Sequence, residues 1–241
     1  MSALFVSALI VLLFIEIILF IFVRKRQRKS EAKKGCLLLT LVLFILLWII
    51  TLKFIVFPPV RDIPVTGRYS IESSDYWVDE GRADPYLGEG TNRELQVRKW
   101  HPLDSKEELP VIVASHGSCG TIDNNVSLYR ELASHGYTVL AVCHPGQAAS
   151  VQYKDGYIYS DSAYPHLREW AQYKNNAMFL DENDLNYTNI YNKGIRHMGL
   201  CDLSVASPIL SALLSGGFQN VDAYTQLERL NADCIEWLDT L

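Results

Sequence analysis

The chain has 241 residues, 22 Lys/Arg and 27 Asp/Glu, for a formal net charge of −5, and 49% of it is apolar. The average hides an asymmetry: Arg24–Gly35 holds seven Lys/Arg and one Glu, a net +6, whereas residues 58–241 hold 14 Lys/Arg and 25 Asp/Glu, a net −11. This excludes a disordered chain, a disulfide-dense mini-protein and a wholly soluble protein. An acidic outer part also argues against nucleic acid as a partner, because phosphate binding needs clustered cations.

Two apolar runs open the chain. Ala3–Val23 carries one charge, Glu16, and Cys36–Phe57 carries one, Lys53. At 1.5 Å rise per residue, ~20 residues cross a ~30 Å hydrocarbon core, so both qualify as membrane-spanning helices. The basic linker between them, within residues 24–35, fixes the orientation, since short Lys/Arg-rich loops stay cytoplasmic. The expected layout is a two-helix anchor over residues 1–57 in a cell membrane, multi-pass, with Met1 and the domain 58–241 both extracytoplasmic. A cleaved signal peptide would carry its positive charge before the apolar core, and here it follows. A carboxylate at Glu16 is costly in mid-membrane and is expected to be protonated or partnered, with Thr40 and Thr51 of the second helix as candidates.

Pro58-Pro59 ends the second helix. RYSIESSDYWVDEG and ELQVRKWHPL alternate in the manner of strands, which predicts an antiparallel pair. LPVIVASHG is a short continuous apolar run, as expected for a strand buried on both faces. Asn124 or Asn125 caps a helix whose apolar side is Val126, Leu128, Tyr129 and Leu132, ending at Gly136. YTVLAVCHPG follows as a second buried strand, completing a right-handed parallel crossover. Residues 147–200 contain seven tyrosines, read either as the wall of a cleft or as a loop packed on the sheet. Val205–Leu214 predicts a short helix closed by Gly216-Gly217, and Val221–Leu241 a longer one.

The chemistry concentrates at Ser115–Thr121, SHGSCGT, where a buried strand ends and the chain turns toward a helix. Ligands bind at that edge of an α/β sheet, and glycines there let backbone N–H groups face a developing oxyanion. The order TGRYSIE, DEGRADPY, LQVRKWHP, LPVIVASHGSCG, SHGYTVLAVCHPGQAAS resembles the α/β-hydrolase family, in its branch of platelet-activating-factor acetylhydrolase and dienelactone-hydrolase-like esterases. NADCIEWLDTL is similar to the helix before that family's nucleophile strand. The resemblance implies a partial α/β-hydrolase fold, a mostly parallel sheet with crossover helices, preceded by the two transmembrane helices. It implies that Ser118 supplies a backbone N–H to the oxyanion hole, with Gly117 and His116 forming the turn.

The family's triad runs Ser, Asp or Glu, His from a G-x-S-x-G elbow, and this chain contains no G-x-S-x-G. The expectation is therefore a chain truncated before the nucleophile strand: the N-terminal part of a membrane-anchored serine hydrolase of acyl or acetyl esters, needing no cofactor and no metal, with its C-terminal half missing. Whether this chain is itself an enzyme stays open. Its expected partners are the lipid bilayer and a small ester or phospholipid-like substrate. The alternative is a non-catalytic, membrane-anchored hydrolase-like binding module; a third reading makes Glu16 an assembly contact. Cys119 beside Cys143 suggests either a disulfide or, less consistently with this fold, a nucleophile. The six histidines show no zinc spacing, and Asp181–Asp184 lacks the residues of a calcium loop.

Overall fold

The computed structural model describes residues 3–27, 34–83, 90–103, 105, 108–117, 120–145, 148–156, 158–159 and 192–241. Most of the tyrosine-rich stretch, the acidic run 181–184, Ser118 and Cys119 lie outside the described residues. The chain forms two compact units: residues 1–62, 196–198 and 203–219 in one, and 63–195, 199–202 and 220–241 in the other.

The first unit begins with a helical hairpin, α1 (Ala3–Gln27) and α2 (Lys34–Val56). The helices meet through stacked Phe20 and Phe44 rings, with centroids 4.5 Å apart, and Phe44 leans on Trp48. Glu16 is buried between them, and Thr51 Oγ1 donates to its Oε1 at 3.3 Å. Most of the remaining described hairpin side chains are exposed Leu, Ile, Val and Phe. Among the described residues no helix is long and apolar enough to cross a membrane.

The second unit is built on a four-stranded sheet of β1 (Ile71–Ala83), β2 (Asn92–Pro102), β3 (Val111–Ser115) and β4 (Thr138–Val142). Its order is β1-β2-β4-β3. β1 and β2 form the expected antiparallel pair, bulged between Asp79 and Ala83 where Gly81 takes a φ of 72°. β2 pairs antiparallel with β4, and β3 pairs parallel with β4. The described sheet is thus mixed rather than mostly parallel, because only the β3–β4 crossover contributes a parallel pair. A small antiparallel pair, β5 (Val151–Gln152) and β6 (Ile158–Tyr159), follows.

The crossover helix is α3 (Val126–Ser134). It covers one face of the sheet, where Tyr129 and Leu132 join Val139, Ala141 and Cys143 in the core. β4 is flanked on both sides, so Val139 and Ala141 are fully enclosed. β3 lies at the edge of the described sheet and is covered on one face only: Ile112 and Ala114 pack on the core, whereas Val113 remains 68% exposed. This corrects the expectation of a strand buried on both faces; a continuous apolar run says that a strand can be buried, and its neighbours decide whether it is.

α3 is capped differently from the sequence expectation. Asn125 is its N-cap residue but makes no side-chain cap bond. Its Nδ2 instead donates to Leu200 O at 2.7 Å. The open N–H groups are met from 75 residues away: Ser127 N donates to Asp202 Oδ2 at 2.9 Å, and Ser127 Oγ donates to Asp202 Oδ1. At the other end of α3, Gly67 N donates to Ser134 Oγ, Tyr69 N to Ser134 O and Thr66 N to Glu131 Oε2. A Cβ on Gly67 would collide with the Ser134 carbonyl, so only glycine fits there.

The helix expected over 205–214 is two helices, α4 (Leu203–Ala206) and α5 (Pro208–Leu214), split because Pro208 starts a new helix with Ser207 as its cap. The last helix, α6 (Ala223–Leu238), starts at an Asp222 cap whose carboxylate accepts from Thr225 N at 3.0 Å. It places Leu227 in a fully enclosed position and sends Ile235 and Leu238 to the core beneath α3. Asp202→Ala should destabilise the full chain by about 1–2 kcal/mol in urea unfolding in mild detergent, while Asp202→Asn, which keeps an acceptor, should lose a fraction of that. Asn125→Ala should cost less than Asp202→Ala, contrary to a sequence-based assignment of the cap.

Candidate active-site turn

Parallel register pairs Ser115 with Val142, so β3 and β4 end level with each other. The residues that follow, His116 and Cys143-His144, therefore meet above the sheet. The His144 backbone N–H donates to His116 Nε2 at 3.0 Å. That nitrogen therefore carries no proton, the ring proton sits on Nδ1, and it is donated to Gly117 O at 2.7 Å. The two imidazoles lie 5.0 Å apart. Ser115 Oγ is 2.7 Å from His144 Nε2.

Burial pushes the His116 imidazole below its usual titration range, and burial, then the nearness of His116 and of Arg93, does the same for His144. Both shifts favour the neutral rings. His116 has each nitrogen committed to backbone, which suits it to hold the turn and leaves it no free site for proton transfer. The Ser115–His144 contact has the length of a nucleophile–base pair. However, among the described residues no carboxylate is hydrogen-bonded to His144, so the orienting third member of a triad is not provided.

The rest of the turn is tightly closed. Gly120 N donates to Gly117 O at 2.9 Å, and Gly120 O accepts from Ala149 N at 2.8 Å. A Cβ on Gly120 would lie 2.8 Å from Gly117 O, so the turn excludes a side chain at this position. Thr121 N donates to Asn124 Oδ1 at 3.0 Å, which leads the chain into α3. The following loop is anchored by charge: Arg98 grips Asp75 through two hydrogen bonds, of 2.6 and 2.8 Å, and also binds Asp123. The bond to Arg98 holds the Asp75 carboxyl below the usual range despite partial burial. Across the site, Arg93 donates to Pro145 O at 2.8 Å and pairs with Glu80 at 3.1 Å.

Of the residues singled out from the sequence, His116 and Gly117 sit in this turn, and Ser118 lies outside the described residues. Sequence reasoning missed Ser115 and His144 as partners. The signal was present in their positions at the ends of two strands joined by one crossover, but only the register shows that they touch.

The unfolded chain protonates these histidines near pH 6.5, whereas the folded chain resists. Between the depressed folded pKa values and 6.5 the unfolded state binds more protons, so stability falls as pH drops through that window and levels off below it. The urea midpoint of the full chain in detergent should decrease from pH 7 to pH 5. In His116→Gln, which retains an acceptor for the His144 N–H but does not titrate, the decrease should be smaller.

The family of platelet-activating factor acetylhydrolase, isoform II, has a model that matches residues 87–193. No curated protein matches the chain. Among solved structures, the ferulic acid esterase from Streptomyces cinnamoneus is similar at 21% identity and a TM-score of 0.38, over 52% of this chain and 47% of that one. The chain thus spans about half the length of that structure. The matched segment holds β2, β3, the turn, α3 and β4, so the resemblance read from SHGSCG and VLAVCHPG is shown there: over residues 87–193 the chain is similar to the platelet-activating-factor acetylhydrolase family.

Proposed function

We propose that the chain is the N-terminal part of a membrane-anchored serine hydrolase acting on carboxylic esters, of the platelet-activating-factor acetylhydrolase kind, with the active site on the extracytoplasmic side. The observation that carries this reading is the His116–His144 frame at the C-terminal end of β3, inside the segment matched by the family. A frame of this kind fixes the backbone leading into Ser118, the residue whose N–H would face the substrate carbonyl oxygen as it becomes an oxyanion. Gly117 and His116 shape the turn and take no proton. A second N–H would come from the residue after the nucleophile, which, with the acid and the base of the triad, lies in sequence that this chain does not contain. The reaction needs no cofactor and no metal. Among the described residues β3 is the last strand of its sheet, and its open edge suits a further strand beside it.

The anchor reading is supported by two helices, Ala3–Gln27 and Lys34–Val56, by their exposed apolar side chains and by the +6 linker between them. On this reading the linker would lie in the cytoplasm and residues 58–241 outside, since short Lys/Arg-rich loops favour the cytoplasmic side. On this reading the substrate would be a small ester, or a phospholipid-like one drawn from the bilayer.

Immunocapture of the native polypeptide followed by intact mass and fluorophosphonate labelling tests the reading. A mass well above 27.4 kDa with a fluorophosphonate adduct is expected. A mass of 27.4 kDa without an adduct would overturn the hydrolase and favour a membrane-anchored binding module. In the longer, unlabelled protein, Ser118→Ala should leave ester hydrolysis nearly unchanged, because the backbone N–H acts. Ser118→Pro, which lacks that N–H, should lower kcat by roughly 10²–10³-fold.

A further inference from the structure

The first unit contains a segment whose chemistry differs from the rest of the acidic chain. From Leu203 to Val221 there is not one Asp, Glu, Lys or Arg. Part of it, residues 203–219, belongs to the same compact unit as the helical hairpin.

Ser207 makes the connection. It is completely buried, and its Oγ donates to Val56 O at 2.6 Å, one of the carbonyls left open at the C-terminal end of α2. The same oxygen accepts from Leu210 N at 3.3 Å and so caps α5. One hydroxyl thus joins the end of an apolar helix to the start of another. α5 is held further by Met198 N, which donates to Ser215 Oγ at 2.9 Å, and by Gly217 N, which donates to Ala212 O at 2.7 Å.

Held in this way, α5 has two unlike faces. Ser211 and Ala212 are buried, whereas Leu213 is 72% exposed and Leu214 65%, and Phe218, just beyond the helix, is 68% exposed. Phe57 and Val60, just beyond α2, are also exposed. The Ser207–Val56 bond ties this segment to the C-terminal end of α2, which on the anchor reading is the end where the helix leaves the hydrocarbon on the outer side. An uncharged segment fixed at that end, with leucines and a phenylalanine outward, fits the boundary between headgroups and acyl chains.

We propose that residues 208–218 form an interfacial foot on the outer leaflet, with Leu213, Leu214 and Phe218 inserted among the lipids beside α2. The proposal rests on the anchor reading of the hairpin. Its occupant is the bilayer rather than a protein, because the segment carries no Asp, Glu, Lys or Arg and is bonded to the end of the apolar helix α2.

The full chain in phosphatidylcholine nanodiscs doped with a phosphatidylcholine bearing an acyl-chain diazirine provides the test, with adducts mapped by peptide mass spectrometry. Adducts are expected on the peptides of α1 and α2 and on the peptide spanning 208–219, and none on α3. The triple variant Leu213→Ser, Leu214→Ser, Phe218→Ser should lose most of the 208–219 adducts, at least severalfold, while hairpin adducts persist at the wild-type yield. A labelled hairpin with an unlabelled 208–219 would overturn the foot and leave the anchor standing, as would adducts on 208–219 that the triple variant retains. An unlabelled hairpin would overturn the anchor reading, and the foot with it.

Discussion

Register between the parallel strands Val111–Ser115 and Thr138–Val142 sets the level at which both chains leave the sheet. Because Ser115 lies opposite Val142, the residues after each strand arrive together, and the His144 N–H reaches His116 Nε2. That bond fixes the tautomer of His116, which in turn fixes Gly117 O and the start of the turn. A slip of one residue would send the alternate side chains to the opposite face and separate the pair. The chemistry at the sheet edge thus depends on backbone pairing well before it depends on any side chain's acidity.

The crossover that delivers this register is held from outside the local sequence. α3 is tied at its C-terminal end by Thr66, Gly67 and Tyr69 and at its N-terminal end by Asp202. Burial raises the Asp202 carboxyl's pKa, offset by its bonds to Ser127 and the backbone around it. A buried carboxylate is tolerable there because the N-terminal N–H groups of a helix are positive and otherwise unpaired. Arg98 acts similarly for the loop before α3, with Asp75 on the neighbouring strand and Asp123 in the loop sharing one guanidinium. Two long-range polar clamps thus bracket the turn in which a backbone N–H would have to be aimed.

Legibility in the sequence followed the range of the interaction. Strand alternation in RYSIESSDYWVDEG and ELQVRKWHPL, the apolar runs VIVAS and TVLAV and the amphipathic residues of α3 are local patterns, and each corresponds to an element of the fold. Thr51 as a partner for Glu16 was also within reach, since a buried carboxylate in an apolar hairpin has few polar neighbours to choose from. The cap of α3 was not legible: Asn125 has the right chemistry in the right place, yet its amide is spent on Leu200 O. Nor was the break at Ser207-Pro208, where the hydroxyl serves Val56 as well as its own helix.

By itself the sequence determined the basic linker between two apolar helices, the α/β order of the second part, and the SHGSCG motif that carries the resemblance to platelet-activating-factor acetylhydrolases, because charge asymmetry, periodicity and glycine spacing are properties of neighbouring residues. Only the tertiary structure decided that β3 is the edge strand of the described sheet, with one face uncovered by described residues, that Ser115 and His144 touch, that Asp202 caps α3, and that residues 203–219 join the hairpin rather than the sheet. Each of these depends on which distant groups come within hydrogen-bonding or packing distance. That is settled by the requirement that buried polar groups find partners and apolar faces find cover across the whole chain, a condition that no local pattern encodes.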